Sequence, residues 1–498
     1  MHVQDGTSAD SDFSEGGSDG SEHLLSPPSV NLPKGGGAIQ GIDEKLSVNP
    51  ATGTAGLTIP IPVSPGRSGF QPQLRISYDS GNGNGPFGLG WSLSLPRVSR
   101  KTAKGLPQYL GDDTYLLSGA EDLVPALEET EKGEWVPVTG GSEEDRRQYE
   151  ILRYRPRVEG MFARIERWEH RSTKDVHWRS VTKDNTTTIY GASAAARIAD
   201  PEDRTRIFSW LIEETRDDRG NVIRYSYAEE DAEGVDPGNL HERNRLGRPS
   251  AFTNRYLKRV RYGNRRLDPS VDADWMFDVV FDYGEHDDDA PRVEPGDRLW
   301  GVRPDPFSSY RSGFEIRTYR RCRRVLVFHR FPELGEAPHL VRALEFEYGG
   351  SDDPRFPQYS YLQRVRTRGF RWDAASERYA HRAMPPLEFD YQTARLQEKT
   401  PAKIESQVLE DQVGTLLHRG GQWADLDGEG LPGVLSEQGG HWYFRRNFGE
   451  GAFGAAEVVN PAPAPVTVAG GREQLLDLAG DGQQDLVVLG ETSGFYER

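Results

Sequence analysis

The sequence has one cysteine in 498 residues, Cys322. That excludes an intrachain disulfide and any cysteine-based zinc cluster. Long apolar runs are also missing; the longest are stretches such as 325–328 and 486–489. Neither approaches the ~18 residues a membrane-crossing helix requires. Basic charge is the minority sign, with 61 Lys and Arg against 78 Asp and Glu and a net charge of −17. This argues against a generic nucleic-acid binder, whose footprint would be basic. No H-E-x-x-H and no G-x-S-x-G occurs, and the 11 histidines show no ligand spacing. Zinc-protease and serine-hydrolase chemistry therefore have no motif to rest on. The first thirty residues carry neither a basic n-region nor an apolar h-region. The expectation there is an acidic Ser/Gly tail over 1–30, too polar to fold alone, and release by a route other than a Sec signal.

Glycine and proline are plentiful, at 55 and 33 residues, which favours turns over long helices. Leu57, Ile59, Ile61 and Val63 alternate with Thr58, Pro60 and Pro62. The period is that of a strand, and its prolines, which cannot donate to a ladder, predict an edge or irregular position. Residues 207–212 and 222–227 flank Asp217-Asp218-Arg219-Gly220-Asn221, the pattern of a hairpin whose Gly220 is free to take positive φ. Further strands are expected at 74–78, 255–262, 275–283, 313–319, 324–330, 340–348, 362–366 and 386–391. No amphipathic helix longer than about three turns is found. The fold class is all-β: a large strand-rich domain over 31–395, followed by a smaller segment over 396–498.

That final segment repeats. Asp425-Leu426-Asp427-Gly428-Glu429-Gly430 recurs without gaps 52 residues later as Asp477-Leu478-Ala479-Gly480-Asp481-Gly482. A period near 50 residues with glycine-rich turns and short strands has the size of one β-propeller blade. About two blades fit after Thr400, so a closed ring of four or more is out of reach within this chain. Asp-x-Asp-Gly also sets carboxylates at alternate positions of a tight turn, as calcium loops do. The candidate metal ligands are Asp425, Asp427, Asp477, Asp481 and Asp485. The alternative is that these aspartates cap backbone amides of the turn without metal. Otherwise no cofactor is expected.

Other motifs have plainer explanations. Gly83-Asn84-Gly85-Pro86-Phe87-Gly88 matches G-x-G-x-x-G, but Pro86 removes an amide a phosphate would need, and an alternating strand pattern follows instead of a helix. Glu345-Phe346-Glu347 has the form of a transferase acidic pair, yet it also reads as the wet face of one strand. Arg320, Arg321, Arg323 and Arg324 flank Cys322 and could lower a thiol pKa, but no base accompanies it, and a lone cysteine in a strand is usually inert. From 241 to 266 there are nine Lys or Arg against the single acid Glu242, and acids dominate 268–297. This segregation suits either a partner surface or strands with one solvated face.

Several motifs together carry a resemblance. Gly35-Gly36-Gly37-Ala38-Ile39 leads through Asn49-Pro50-Ala51-Thr52-Gly53 to Pro72-Gln73-Leu74, Tyr78-Asp79-Ser80-Gly81 and Gly85-Pro86-Phe87-Gly88-Leu89-Gly90-Trp91. Arg219-Gly220-Asn221, Tyr262-Gly263-Asn264, Arg303-Pro304-Asp305-Pro306-Phe307 and Ser312-Gly313-Phe314-Glu315-Ile316-Arg317-Thr318 follow in order. Over about 33–391 the chain resembles the N-terminal domain shared by the Salmonella plasmid virulence protein B and the B component of insecticidal toxin complexes (Tc toxins). The 52-residue repeat, with Asn447-Phe448-Gly449-Glu450-Gly451-Ala452-Phe453, looks like the FG-GAP/VCBS-type segment of those B components. The resemblance implies a non-enzymatic part of a secreted toxin complex: a shell wall plus opening propeller blades, with an A-type pore-forming component and a C-type, RHS-repeat component as partners. It also implies a truncated homologue or the first piece of a split gene, present in the cytoplasm before release. Two alternatives are the delivery module of an ADP-ribosylating toxin and a calcium-dependent adhesin.

Overall fold

The computed structural model describes residues 45–49 and 53–391 apart from 104, 112, 119–120, 159–161, 246–251, 336, 351–358, 374 and 377. It also describes 421–496 apart from 427, 429, 450–451, 460–472, 477, 479–483 and 490–492. The chain divides into two compact units, 1–394 and 395–498. The all-β expectation holds: among the described residues the only α-helix is the six-residue Glu143–Gln148, started by a capping box in which Ser142 and Asp145 exchange hydrogen bonds.

In the first unit a small antiparallel sheet runs in the order Lys45–Asn49, Thr54–Pro60, Arg75–Asp79, Trp91–Leu93. Thr54–Pro60 is an inner strand, paired on both sides, so the edge position expected from its prolines is corrected. Pro60 stands at the last residue of the strand, where Pro62 lies beyond it and Ile61 still donates to Leu74 across the next rung.

The main sheet has two parts. Eight strands pair in a closed circuit: Arg97–Arg100, Tyr115–Leu117, Glu121–Pro125, Tyr149–Pro156, Arg164–His170, Val176–Val181, Thr187–Tyr190 and Ile207–Arg216. Ser209, Trp210 and Leu211 of the last strand pair with Ser99, Val98 and Arg97 of the first, which closes the ring. Small barrels of this size are filled by side chains. Here Tyr115, Trp178 and Trp210 meet with ring centroids 4.9–6.0 Å apart, and Trp178 is fully buried.

From Ile207–Arg216 the described sheet continues through Val222–Glu229, Arg255–Asn264, Trp275–Asp282, Arg324–His329, His339–Gly349 and Tyr361–Asp373. The far side of Tyr361–Asp373 pairs with Arg378–Ala383 and Leu387–Glu388 and, among the described residues, leaves the sheet open-ended. The hairpin read at 217–221 is present: Asp217 accepts the amides of Arg219 and Asn221, and Gly220 has φ +78°. Val279, Phe281, Val325, Leu344 and Val365 alternate onto one buried face, while Val280, Leu326, Phe328 and Leu340 form a smaller cluster on the other. Burial on both faces explains why 325–328 reads as a continuous apolar run. The strand expected at 313–319 shrinks to Ile316–Thr318, because Ser312 and Phe314 turn the chain just before it.

The second unit has a four-stranded sheet, Gln422–Ala424, Gly433–Gln438, His441–Arg445 and Glu457–Val458, and a three-stranded sheet, Glu473–Leu476, Asp485–Val488 and Gly494–Tyr496. Their first hairpins share a register at the 52-residue offset: Ala424 opposes Gly433 as Leu476 opposes Asp485, and Trp423 opposes Val434 as Leu475 opposes Leu486. One apolar cluster holds residues of both sheets, Leu435 and Phe444 with Leu475 and Leu486.

Candidate functional site

The repeated acidic motif occupies the loop of each of those hairpins. Asp425 Oδ2 accepts the Gly430 amide at 2.7 Å, and Asp485 Oδ2 accepts the Leu478 amide at 2.9 Å. Asp485 is buried. Each of the two carboxylates thus spends an oxygen on the main chain of its own loop, the geometry of a turn cap. Asp427, Asp477 and Asp481 lie outside the described residues.

The motifs that might have carried chemistry are occupied structurally. Cys322 is fully buried, its thiol lies 3.4 Å from the Arg324 carbonyl, and burial, then Asp282 and Glu285, push its pKa well above the usual range. This is the inert cysteine favoured from the sequence, and the flanking guanidiniums do not activate it because they are engaged elsewhere. Arg320 bonds Glu230 and Asp231, Arg321 bonds Ser360, and Arg324 bonds Asp282. Glu345 and Glu347 oppose Arg366 and Arg364 across the ladder, and their carboxylates pair with Arg368 at 2.9 Å and Arg366 at 3.1 Å. The glycine-rich segment is a tight hairpin of Asn84–Gly85 and Gly88–Leu89. Gly88 has φ +94°, and a Cβ there would sit 2.5 Å from the Ser360 carbonyl, so glycine is required.

What the sequence motifs build instead is a set of cross-links between distant segments. Arg303 forks onto Asp305 at 2.9 and 3.1 Å and reaches Gly85 O and Asn84 Oδ1, both at 2.8 Å. Asp305 in turn accepts the Asn84 side-chain amide and the Ser360 main-chain amide, both at 2.7 Å. These bonds hold its carboxyl below the usual range although burial alone would raise it. Asn264 joins two turns: its Oδ1 accepts the Val222 amide, and its Nδ2 donates to Gly220 O and Arg266 O. Trp91 Nε1 donates to the Tyr391 hydroxyl, which donates to Leu362 O. Glu230, with Arg320, Tyr256 and the Tyr319 amide, fixes the irregular segment before 324. Burial is the largest influence on Glu230 and raises its pKa.

The segregated charges also find one another. Arg259 bonds Asp278 at 2.6 Å, Glu294 at 2.6 Å and Asp272 at 3.1 Å; Arg261 bonds Asp272; Lys258 bonds Glu285. The basic and acidic runs are two sides of one intramolecular network, which sequence reading missed because register decides which charges meet. No group of three or more His, Cys, Asp or Glu able to hold a metal is present among the described residues. No described helix is long and apolar enough to cross a membrane.

The family model described as SpvB, Salmonella virulence plasmid 65kDa B protein, matches residues 49–331. The chain is 38% identical over 379 residues to the mono(ADP-ribosyl)transferase SpvB of Salmonella choleraesuis, covering 73% of this chain and 60% of that protein. It is 40% identical to the Salmonella dublin protein over 65% of this chain and 54% of the relative. The chain thus spans little more than half the length of these curated relatives. Among solved structures, the TcdB2-TccC3 crystal structure aligns with a TM-score of 0.72 and 32% identity over 93% of this chain and 22% of that one. The N-terminal domain of the effector protein SpvB from Salmonella typhimurium aligns with a TM-score of 0.54 and 38% identity over 62% of this chain and 97% of that domain.

Proposed function

Because the chain belongs to the family of the Salmonella virulence plasmid 65kDa B protein, we propose that it is a structural, non-enzymatic component of a secreted toxin complex. The first unit would serve as a wall of a strand-built shell, and the second would supply FG-GAP/VCBS-type blades of a docking propeller. The observation that carries this reading is the alignment over 93% of the chain to a toxin-complex polypeptide of which it amounts to 22%. The cross-links support it, since the segments bearing the resemblance are spent on holding backbone to backbone. Its partners would be a C-type, RHS-repeat component and an A-type pore-forming component. The short strands Arg378–Ala383 and Leu387–Glu388, both paired to Tyr361–Asp373, end the described sheet, and unpaired edge amides recruit further strands. Co-expression with an RHS-repeat component, followed by size-exclusion chromatography, should give one stable complex. A monodisperse monomer that ignores both partners would refute the assignment.

A second reading has its own support, the 38% identity to a mono(ADP-ribosyl)transferase and the match to 97% of an SpvB N-terminal domain. In it the chain delivers a transferase supplied by further sequence. Incubation with labelled NAD and cell lysate should then show no transfer by this chain alone, and transfer would overturn both readings. The loop 477–485 remains a proposed calcium loop on the spacing of Asp477, Asp481 and Asp485. Calorimetric titration with calcium chloride tests that proposal, and absence of binding heat removes it together with the adhesin reading.

A further inference from the structure

On the strands Tyr149–Pro156, Arg164–His170 and Val176–Val181, three arginines stand around one glutamate. Arg153 and Arg179 flank Glu166 in ladder register from either side, and Arg164 precedes it by two residues on the same face. With Ser142, Asp145 and Thr187 they border a recess of about 300 Å³. Its charge is unbalanced, three guanidiniums against the two carboxylates Glu166 and Asp145. Glu166 Oε1 lies 3.4 Å from Arg164 Nε and 3.8 Å from Arg153 Nε, while its Oε2 is taken by the Trp168 indole at 3.1 Å. The buried Arg153 Nε has no hydrogen-bond partner. Arg179 donates to His177 and lies over the Trp168 ring at 3.6 Å, which fixes the guanidinium without neutralising it. Among the described residues no carboxylate other than Glu166 lies within ion-pair distance of the three; Asp145, whose carboxylate is bonded to Ser142, acts on Arg179 only from farther away. The other arginine clusters are matched: Arg303 forks onto Asp305, Arg197 onto Asp175, and Arg259 onto three carboxylates.

A planar guanidinium presents paired donors suited to a tetrahedral or planar oxyanion. Three of them, one pre-oriented by stacking and two half-exposed, leave donors directed at a space large enough for a small ligand. We propose that this recess binds a tetrahedral oxyanion ester, a phosphate or sulfate group carried by a small polar molecule. Arg153 and Arg164 would grip the group and Arg179 would set its orientation, while Glu166 keeps the empty site from collapsing and weakens binding by like-charge repulsion. The site lies on the circuit, at sequence positions outside the motifs quoted for the family resemblance though within the 49–331 span of the family model.

Isothermal titration of the full chain with inorganic phosphate, glucose 6-phosphate and glucose 6-sulfate tests this. Saturable binding of at least one probe is expected, weakened about tenfold by Arg164→Ala and by Arg153→Ala separately, as loss of a charge-assisted hydrogen bond predicts. Glu166→Gln should tighten binding, which a merely structural glutamate would not do. Preference for glucose 6-phosphate assigns a phosphate ester, and preference for glucose 6-sulfate a sulfated saccharide. Absence of saturation up to about 10 mM for all three probes, a concentration already in the weakest binding range, overturns the proposal. Equal binding by the Arg153→Ala/Arg164→Ala double variant overturns it as well. Both arginines are about half exposed, and a melting curve matching the parent chain confirms that each variant folds.

Discussion

The closed circuit and the open sheet that leaves it are made from one kind of strand, and both carry aromatic and ionic contacts, but they differ in which of these holds the interior. Inside the circuit the contacts are aromatic: Tyr115, Tyr154, Trp178 and Trp210 touch edge to face. Along the open sheet the fixed points are ionic: Arg259 with Asp278, Arg303 with Asp305, Arg320 with Glu230, Arg324 with Asp282. A ring leaves no unpaired edge, so its backbone is satisfied by its own ladder and only the interior has to be filled. The open sheet carries the segment 283–323, where the ladder provides few partners. Side chains must supply the missing acceptors and donors there, and buried charges are tolerated because each meets its opposite.

If that contrast is right, the largest effect should come from emptying the ring. Trp178→Ala should cost about 4–5 kcal/mol, the upper range for a buried aromatic, read as a lowered urea midpoint with unchanged slope. Removing one ionic partner should come next. Arg320→Met leaves the fully buried Glu230 carboxylate uncompensated and should cost about 3 kcal/mol, whereas pairing it with Glu230→Gln should recover part of that loss. A loss in the single variant no larger than in the double would break the comparison.

Acid should act on the circuit through His177, whose pKa burial, helped by Arg179 and Arg197, lowers to about 4. The folded state prefers the neutral imidazole, so the unfolded chain binds the proton first. The stability His177 contributes is present above about pH 6.5 and is lost as pH falls towards 4, to the extent of about 2–3 kcal/mol. Unfolding at pH 7 and pH 4.5 checks this, and His177→Gln should flatten the difference. The smallest effect belongs to the surface: Glu347→Ala breaks exposed pairs with Arg364 and Arg366 and should cost under about 1 kcal/mol.

Local chemistry was legible in the residues and distant pairing was not. The turn at Asp217–Asn221 and the 52-residue hairpin repeat were readable because each depends on a few neighbouring positions. The inner position of Thr54–Pro60 was not, since a proline at a strand's end looks the same on paper as one at an edge. That Cys322 is inert was legible, but the reason its four flanking arginines leave it so was not, because the partners of Arg320 and Arg324 lie 90 and 42 residues away. The convergence of Arg153, Arg164 and Arg179 had no sequence signal, because three residues on three strands share a recess only once the register is set.

Amino-acid order alone determined that this is a strand-built, turn-rich protein with a duplicated hairpin near its end, because side-chain alternation and turn residues act over a few positions. Tertiary structure alone decided that strand Ile207–Arg216 returns to Arg97–Arg100 and closes a ring, and which arginine meets which carboxylate. The closure depends on register between segments about 110 residues apart, and the Arg320–Glu230 pair on segments 90 apart, where a shift of one position would turn every inward side chain outward.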